Sequence, residues 1–128
     1  MGYAYDDNKE YANALANYKE ALQIRIKLYG KDNGGVASTY FNMGIAYNCL
    51  KNGKESVDCM NKSALAYNGC HAYDDMCDAY ERLLKYCEAY GMKSESAVFM
   101  KQYYVSICNA YGKEDKRAIE VGRRVDHE

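Results

Sequence analysis

Cysteine and histidine are the residue types in this chain that could bind a metal ion or act as nucleophiles. Cys70, His71 and Cys77 lie close together in the sequence, and thiolate and imidazole groups are common zinc ligands. Their spacing matches no common zinc site, and no two cysteines form a CxxC pair. A cysteine–histidine nucleophile would need the same residues in one shared pocket. We expect helix-end residues and reduced core thiols here, and we predict no metal, no cofactor and no catalytic site.

Two acidic segments are further candidates for ion binding. Asp6-Asp7-Asn8-Lys9-Glu10 superficially resembles a calcium loop, but it lacks the glycine of the turn and the distal glutamate. We expect a solvated turn between two helices there. Asp74, Asp75 and Asp78 are expected in the first turn of a helix that starts near Ala72, where carboxylates interact favourably with the helix dipole.

The charge balance argues against two classes of partner. Seventeen basic and eighteen acidic residues give a net charge of −1 and a pI near 6.1, whereas nucleic-acid-binding domains usually carry a basic excess. No apolar run approaches the roughly 18–20 residues of a membrane span. We therefore predict no nucleic-acid partner and no membrane partner.

The fifteen tyrosines could suggest stacking on nucleotide bases. Stacking modules combine aromatic side chains with a positive groove, which the charge balance does not favour. We instead predict packing positions for the tyrosines that fall on the repeated pattern described below. These are Tyr11, Tyr18, Tyr29, Tyr40, Tyr47 and Tyr80.

The N-terminal segment from Met1 to Glu10 is acidic and rich in tyrosine, without the basic patch and apolar stretch of a signal peptide. The six cysteines are then expected to be reduced, because disulfides persist mainly in oxidising compartments. We therefore predict a cytoplasmic location.

Helices are the predicted elements that position all of these side chains. The chain contains no proline, and good helix formers dominate between the glycines. Apolar residues recur at intervals of three and four, as in an amphipathic helix. The longest stripe comprises Tyr11, Ala14, Leu15, Tyr18, Ala21, Leu22 and Leu28. Similar stripes begin at Tyr40, Tyr80 and Ala97.

Glycine and asparagine mark the predicted helix ends. Asn33, Asn52 and Ser94 are expected as caps or turn residues near helix starts. These positions predict six helices, or seven if a short helix precedes Asn8. A left-handed C-cap residue is expected where a glycine follows a periodic segment, namely at Gly30, Gly53, Gly69, Gly91 and Gly112.

The apolar pattern repeats along the chain. A shift of 40 brings positions 40, 43, 44 and 47 onto positions 80, 83, 84 and 87, and a shift of 42 relates the first unit to the second. We expect the small Gly44 to let the next helix approach closely, and Leu84 at the equivalent position to alter the packing of the third hairpin. Small residues, Ala14, Ser56 and Ser96, recur on the following helix. One hairpin cannot bury such faces alone, so stacked hairpins are predicted.

This pattern resembles the tetratricopeptide repeat family, whose usual repeat is shorter, at about 34 residues. The order of large, aliphatic, glycine and tyrosine residues is clearest at Tyr40, Met43, Gly44 and Tyr47. The longer repeat of this chain is similar to the kinesin light chain and nephrocystin type. The segments that carry this closer likeness are 21–25, 27–32, 36–37 and 42–44.

The resemblance implies an all-α fold, a right-handed α-solenoid of about three helix-turn-helix repeats. The expected units within the single domain 1–128 are 1–35, 36–75 and 76–113, with 114–128 as a capping helix or the start of a further repeat. Met1 falls inside a helix position and Ala118 to Asp126 aligns with Val36 to Gly44. We therefore expect a fragment of a longer array, with self-association possible through its unfinished terminal repeats.

The resemblance also implies a concave groove, lined by the first helix of each repeat, that holds a peptide or a partner helix. Phe41 and Ile45 lie outside the packing stripe and would offer apolar contact, unless they contact the neighbouring helix instead. Tyr3, Asp6 and Asp7 are the candidates from the first unit. The groove residues expected from the second and third units are Ser38, Phe41, Asn42, Ile45, Asn48, Asp78, Glu81, Arg82 and Lys85.

The function implied is a non-catalytic module that binds a protein or peptide segment in this groove. Asn42, Arg82 and Lys85 would set the register of the bound segment through hydrogen bonds and charge. Two alternatives stay open at this point. One is a structural spacer within a longer repeat array, and the other is a ligand-sensing regulatory domain of a larger protein.

Overall fold

Six α-helices form the described part of the chain, and no strand occurs in it. The computed structural model describes residues 3–126, and the side chains of residues 8–125 within that range. Each helix packs against the next one along the chain, which confirms the all-α solenoid. The helices are α1 (Tyr3–Tyr29), α2 (Gly34–Cys49), α3 (Gly53–Gly69), α4 (Tyr73–Ala89), α5 (Lys93–Tyr111) and α6 (Lys116–Asp126).

Helix α1 runs without a break through positions 6–10, so the predicted turn between two helices is wrong. The 27 residues of α1 contain no glycine and no proline, and nothing else in them interrupts the backbone ladder. The first described element is therefore one long helix, which is followed by the hairpins α2–α3 and α4–α5 and by α6. The side chains of Tyr3, Asp6 and Asp7, expected in the groove, lie outside the described set.

The core has two parts that follow the order of the chain. The smaller part lies among α1, α2 and α3, around Leu15, Met43, Ala46 and Cys59. The larger part lies across α3 to α6 and includes Tyr80, which is fully buried. The predicted packing role is confirmed for Tyr80 and for the four tyrosines that pack half-buried on the smaller core, Tyr11, Tyr18, Tyr40 and Tyr47.

The end of the predicted α1 stripe is wrong. Leu28 and Tyr29 are 68 % and 62 % exposed. The buried stripe passes through Leu22 and continues to the half-buried Ile26, one helical turn further on. Leu28 lies two positions beyond Ile26 and so points to nearly the opposite side of the helix.

The close approach predicted at Gly44 is confirmed. A Cβ atom at this position would lie 2.7 Å from Cε of Met60 and 3.3 Å from the carbonyl oxygen of Ser56. The Ser56 hydroxyl donates a 2.8 Å hydrogen bond to the Gly44 carbonyl, and the buried Ser63 hydroxyl donates a 2.8 Å bond to the Ala37 carbonyl. These two hydroxyl groups join α3 to the backbone of α2.

The turns within and between the hairpins share one backbone geometry, which recurs at evenly spaced positions. Lys51, His71 and Gly91 adopt φ of 62°, 63° and 69°. The amide after each donates to a carbonyl five positions back, at 2.9, 2.9 and 2.8 Å, as in a Schellman turn. The left-handed C-caps predicted at Gly53 and Gly69 are therefore wrong, because Lys51 and His71 occupy that conformation.

Most of the other predicted helix ends are observed in the structure. Gly30, Gly91 and Gly112 have positive φ, as expected. The Asn33 side chain accepts from the amides of Gly35 and Val36, and Asn52 accepts from Glu55, so both are N-caps. Ser94 is not a cap, since it lies inside α5. Asp74 and Asp75 lie in the first turn of α4, whereas Asp78 lies one turn later.

All six cysteines are unpaired, in agreement with the expectation of free thiols. Cys59 and Cys87 are buried, and burial raises the pKa of each thiol to about 11. Within the described residues, no helix combines the length and the apolar character needed to cross a membrane.

Candidate peptide-binding groove

The exposed face of α4 forms one wall of an open cavity of about 1240 Å³. Phe41 from α2, Arg124 from α6 and residues of the first half of α5 also line this cavity. We call this cavity the α4 groove. Five charged side chains of α4 line the groove, and they recur at helical intervals. They are Asp78, Glu81, Arg82, Lys85 and Glu88.

The base of the α4 groove is apolar. Leu84 and Cys87 contribute from α4, and Met92 precedes α5 in the turn. Ala97 and Met100 complete the base from α5. Leu84, Cys87 and Met100 belong to the main core and are 6 %, 0 % and 6 % exposed, so the groove is a continuation of the core toward solvent.

Glu81 is held by partners from two other helices. The Tyr103 hydroxyl donates to Oε2 of Glu81 at 2.9 Å, and Nη1 of Arg124 donates to the same oxygen at 2.8 Å. Burial and the nearby Glu81 carboxylate raise the pKa of Tyr103, and the hydrogen bond to Glu81 raises the pKa of Arg124. Because Glu81 is neutralised within the chain, it offers little negative charge to a partner.

The basic side chains of α4, Arg82 and Lys85, differ from Glu81 in their contacts. The Arg82 guanidinium lies 5.4 Å from the centre of the Phe41 ring, a cation–π contact that orders both side chains at the edge of the groove. Lys85 is exposed, and no hydrogen bond or ion pair of its ammonium occurs within the described residues. Arg82 and Lys85 are therefore the α4 cations that can face a partner.

Five of the nine predicted groove residues meet in the α4 groove, namely Phe41, Asp78, Glu81, Arg82 and Lys85. Asn42 and Ile45 instead line a smaller cleft of about 260 Å³ between α1 and α2, beside Tyr11 and Tyr18.

The two remaining predicted residues have structural partners. The Tyr90 hydroxyl donates a 2.6 Å hydrogen bond to Oδ1 of Asn48, so Asn48 links α2 to the end of α4. The Ser38 hydroxyl donates to the Gly35 carbonyl at 3.2 Å, within the first turns of α2. Neither residue lines the α4 groove.

The groove also contains residues that the sequence reasoning missed, chiefly Lys93, Ala97 and Arg124. A groove made only of the first helices of each repeat would not include α5. The signal that could have identified them is Leu84, since a large residue at the position of Gly44 moves the next helix away.

The candidate zinc ligands have other partners. His71 shares a 2.7 Å hydrogen bond with the Tyr73 hydroxyl, and the Cys70 thiol donates to the Tyr67 carbonyl at 3.5 Å. Burial raises the pKa of Cys77, which disfavours the thiolate that zinc requires. Over the described residues, no group of three or more His, Cys, Asp or Glu side chains could hold a metal ion.

A comparison with known families shows which family the chain belongs to. The sequence profile of the tetratricopeptide repeat family matches residues 1–64, which cover α1, α2 and most of α3. The chain belongs to the tetratricopeptide repeat family. Repeats of this family are generally protein-interaction modules and typically act as non-catalytic scaffolds. A search of curated proteins finds no match.

The matched region and the α4 groove adjoin one another. The match ends at residue 64, whereas most groove residues lie on α4 and α5. The second hairpin follows the family pattern at Gly44, and the third departs from it at Leu84. The groove therefore lies mainly on the hairpin in which Leu84 replaces the small residue of the repeated pattern.

Proposed function

We propose that this chain is a scaffold that binds a segment of another protein in the α4 groove. The observation that carries the proposal is the combination of an apolar base with the exposed cations Arg82 and Lys85 on one face of α4. Apolar side chains of the bound segment would be buried against Phe41 and Leu84. Arg82 and Lys85 would set its register through charge-assisted hydrogen bonds.

The proposal narrows the predicted set of binding residues. Asn42 and Ile45 line the separate cleft beside α1, and Asn48 is engaged by Tyr90. The residues that we propose for recognition are therefore Phe41, Arg82 and Lys85, with Asp78 at the edge. A cytoplasmic location is part of the same proposal, since six unpaired thiols suit a reducing compartment.

The test is capture of partners by the wild-type chain and by the double variant Arg82→Glu, Lys85→Glu. The matched control is Lys101→Glu with Lys113→Glu, which reverses two exposed lysines outside the groove. We expect the control to retain the partners of the wild type and the groove variant to lose them. Circular dichroism must show equal helix content for all three proteins.

Identical partners for the groove variant and the control would contradict the groove proposal. A purified partner then allows a quantitative check by titration calorimetry. We expect the groove variant to bind at least about tenfold more weakly, because it replaces two attractive contacts with repulsive ones.

We further propose that the repeats are of the long type that resembles kinesin light chain and nephrocystin. The even spacing of the left-handed positions 51, 71 and 91 supports a helix-to-helix interval that is longer than the usual repeat allows. The proposed units stay at 1–35, 36–75 and 76–113, with 114–128 as a cap or a further repeat.

A structural spacer is the second candidate function. Ile24 and Leu28 on α1 are 59 % and 68 % exposed, and they lie one turn apart on the same side of the helix. Exposed apolar residues of this kind favour stacking on further repeats or on another copy of the chain. Identical partner lists in the capture experiment would favour this candidate.

A further inference from the structure

Three asparagine–glycine pairs occur in the sequence, and each lies at one end of a helix. They are Asn33-Gly34, Asn52-Gly53 and Asn68-Gly69. In such a pair the backbone nitrogen of the glycine can attack the side-chain amide carbon of the asparagine, because glycine has no Cβ to hinder the approach. This dipeptide is therefore the sequence context in which an asparagine most readily loses its amide group as ammonia.

The reaction needs a glycine nitrogen that can move and an asparagine side chain that can turn toward it. Gly69 lies within α3, where its amide donates into the backbone ladder and the chain is held in helical geometry. The Asn68 pair is therefore protected while the helix stays closed. Gly34 and Gly53 are instead the first residues of α2 and α3, and the amides of a first helical turn have no partner in the ladder.

The two remaining pairs differ in how firmly the asparagine side chain is held. Oδ1 of Asn33 accepts hydrogen bonds from the amides of Gly35 and Val36, at 2.8 and 3.3 Å, and Asn33 is half-buried. Among the residues that the structure describes, Oδ1 of Asn52 accepts only from the Glu55 amide, at 3.3 Å, and Asn52 is exposed. The Asn52 side chain is therefore less restrained and more accessible to water.

The fold requires both residues of the Asn52-Gly53 pair. Asn52 is the N-cap of α3. A Cβ at Gly53 would lie 2.5, 2.7 and 2.8 Å from atoms of the Tyr90 ring, so glycine is the residue that fits beside this ring. The ring lies on the side to which a Cβ would point, and the Asn52 side chain remains exposed. Capping and packing thus each select one residue, and together they create a chemically labile pair.

We propose that Asn52 is a site of spontaneous deamidation in the folded chain, with Asn33 as a slower site and Asn68 protected. In the first step the Gly53 nitrogen forms a bond to Cγ of Asn52, the Cγ–Nδ2 bond breaks, and the Gly53 amide proton leaves with Nδ2 as ammonia. The product is a five-membered succinimide ring. Water then opens the ring at either of its two carbonyl carbons. Cleavage of the new bond gives aspartate, and cleavage of the original peptide bond gives isoaspartate, whose backbone runs through Cγ.

The two products have different consequences for α3. Aspartate is also a good N-cap, and its negative charge is favourable in the first turn of a helix. Isoaspartate adds a methylene group to the backbone directly before Gly53, which displaces the start of α3 from the Tyr90 ring. Because the Tyr90 hydroxyl also donates to Asn48 of α2 at 2.6 Å, the isoaspartate form loosens the contact of α2 and α3 with the end of α4.

Mass spectrometry of the whole chain, aged in mildly alkaline buffer under native conditions, tests the proposal. Each deamidation replaces an amino group by a hydroxyl group, a gain of one mass unit, and fragmentation of proteolytic peptides assigns the gain to a residue. An isoaspartate-specific methyltransferase with a labelled methyl donor detects the isoaspartate product. The matched controls are Asn52→Ser and Asn33→Ser, because serine caps a helix about as well as asparagine and has no amide.

We expect Asn52 to convert first, and Asn68 to convert at least about tenfold more slowly, because α3 must open locally before the Asn68 pair can react. Asn52→Ser should remove the first mass gain and most of the methyl labelling, whereas Asn33→Ser should retain both. In concentrated urea the three pairs should convert at similar rates, since the fold no longer distinguishes them. Circular dichroism checks that the variants are folded, and the assignment in the wild type decides the question if one is not.

Three results would overturn the inference. The first is conversion of Asn33, Asn68 or an asparagine outside the three pairs before Asn52 in the folded chain. The second is an unchanged Asn52 in native buffer under conditions in which urea allows it to convert. The third is the same order of conversion in urea as in native buffer, which would assign the rates to the local sequence and not to the fold.

Discussion

Single side chains at equivalent positions give the two hairpins different properties. Gly44 permits backbone contact between α2 and α3, and Leu84 at the same repeat position borders an open groove. Tyr80 and Tyr103 stack with ring centres 4.8 Å apart inside the main core, so aromatic residues here serve packing. The chemistry available to a partner comes from the exposed cations, such as Lys85.

The first prediction transfers the leucine of the third hairpin to the second. Gly44→Leu should lower the free energy of unfolding by about 1–3 kcal/mol, because overpacking forces α2 and α3 apart. Urea denaturation measures this change. The control is Gly34→Leu, since a Cβ at Gly34 meets no atom within 4 Å. Equal stability of both variants would show that the Gly44 contact is not required.

The second prediction concerns the buried thiols. Because burial raises the pKa of Cys59 and Cys87 to about 11, the unfolded chain loses these protons first as the pH rises. The stability that they contribute is complete below the ordinary thiol pKa of about 9 and is lost as the pH rises toward 11.

Urea denaturation between pH 8 and 11 measures the second prediction. The double variant Cys59→Ala, Cys87→Ala should show a smaller decrease of stability over this range than the wild type. An equal pH dependence in the wild type and the double variant would contradict the assignment.

At the level of the helices, the helix ends share one backbone geometry even though their residue types differ. Three successive turns place positions 51, 71 and 91 in the left-handed region, although only Gly91 is a glycine. Lysine and histidine are tolerated there at an energetic cost, because their Cβ atoms crowd the backbone. The packing of the helices therefore determines the turn, and the residue type adjusts its stability.

The third prediction follows from this cost. Lys51→Gly should raise the free energy of unfolding by about 0.5–1 kcal/mol, because glycine accepts positive φ without strain. The reverse change, Gly91→Ala, should lower it by about 1 kcal/mol for the same reason, and a Cβ at Gly91 meets no atom within 4 Å. Chemical denaturation measures both. A loss of stability in Lys51→Gly would show that the lysine side chain contributes more than the strain costs.

Over the whole molecule, the solenoid is a chain of local contacts. The core among α1, α2 and α3 combines four buried residues with half-buried tyrosines and leucines. The core across α3 to α6 is larger, and it fully buries Met60, Met76, Tyr80 and Leu83. Because each helix packs mainly on its neighbours, stability need not be uniform along the chain.

The fourth prediction is a gradient of stability along the chain. Amide hydrogens of α1 should exchange faster than those of α4, which packs between α3 and α5. Hydrogen exchange measured by mass spectrometry under native conditions tests this, with Leu15→Ala as a variant that should accelerate exchange in α1 more than in α4. Uniform protection from α1 to α6 would indicate a single cooperative unit instead.

Helices α2 to α6, their repeat and the close contact at Gly44 could be predicted from the sequence, because apolar periodicity and residue size are local properties. The unbroken α1 was not, since a turn was expected at positions 6–10. The same periodicity identified the exposed face of α4. Which side chains share a surface depends instead on how helices pack. Asn42 and Asn48 have groove spacing on α2, but α1 and Tyr90 occupy their surroundings. Lys93, Ala97 and Arg124 join the groove because α5 and α6 lie beside α4, and the periodicity of a single helix does not encode that placement.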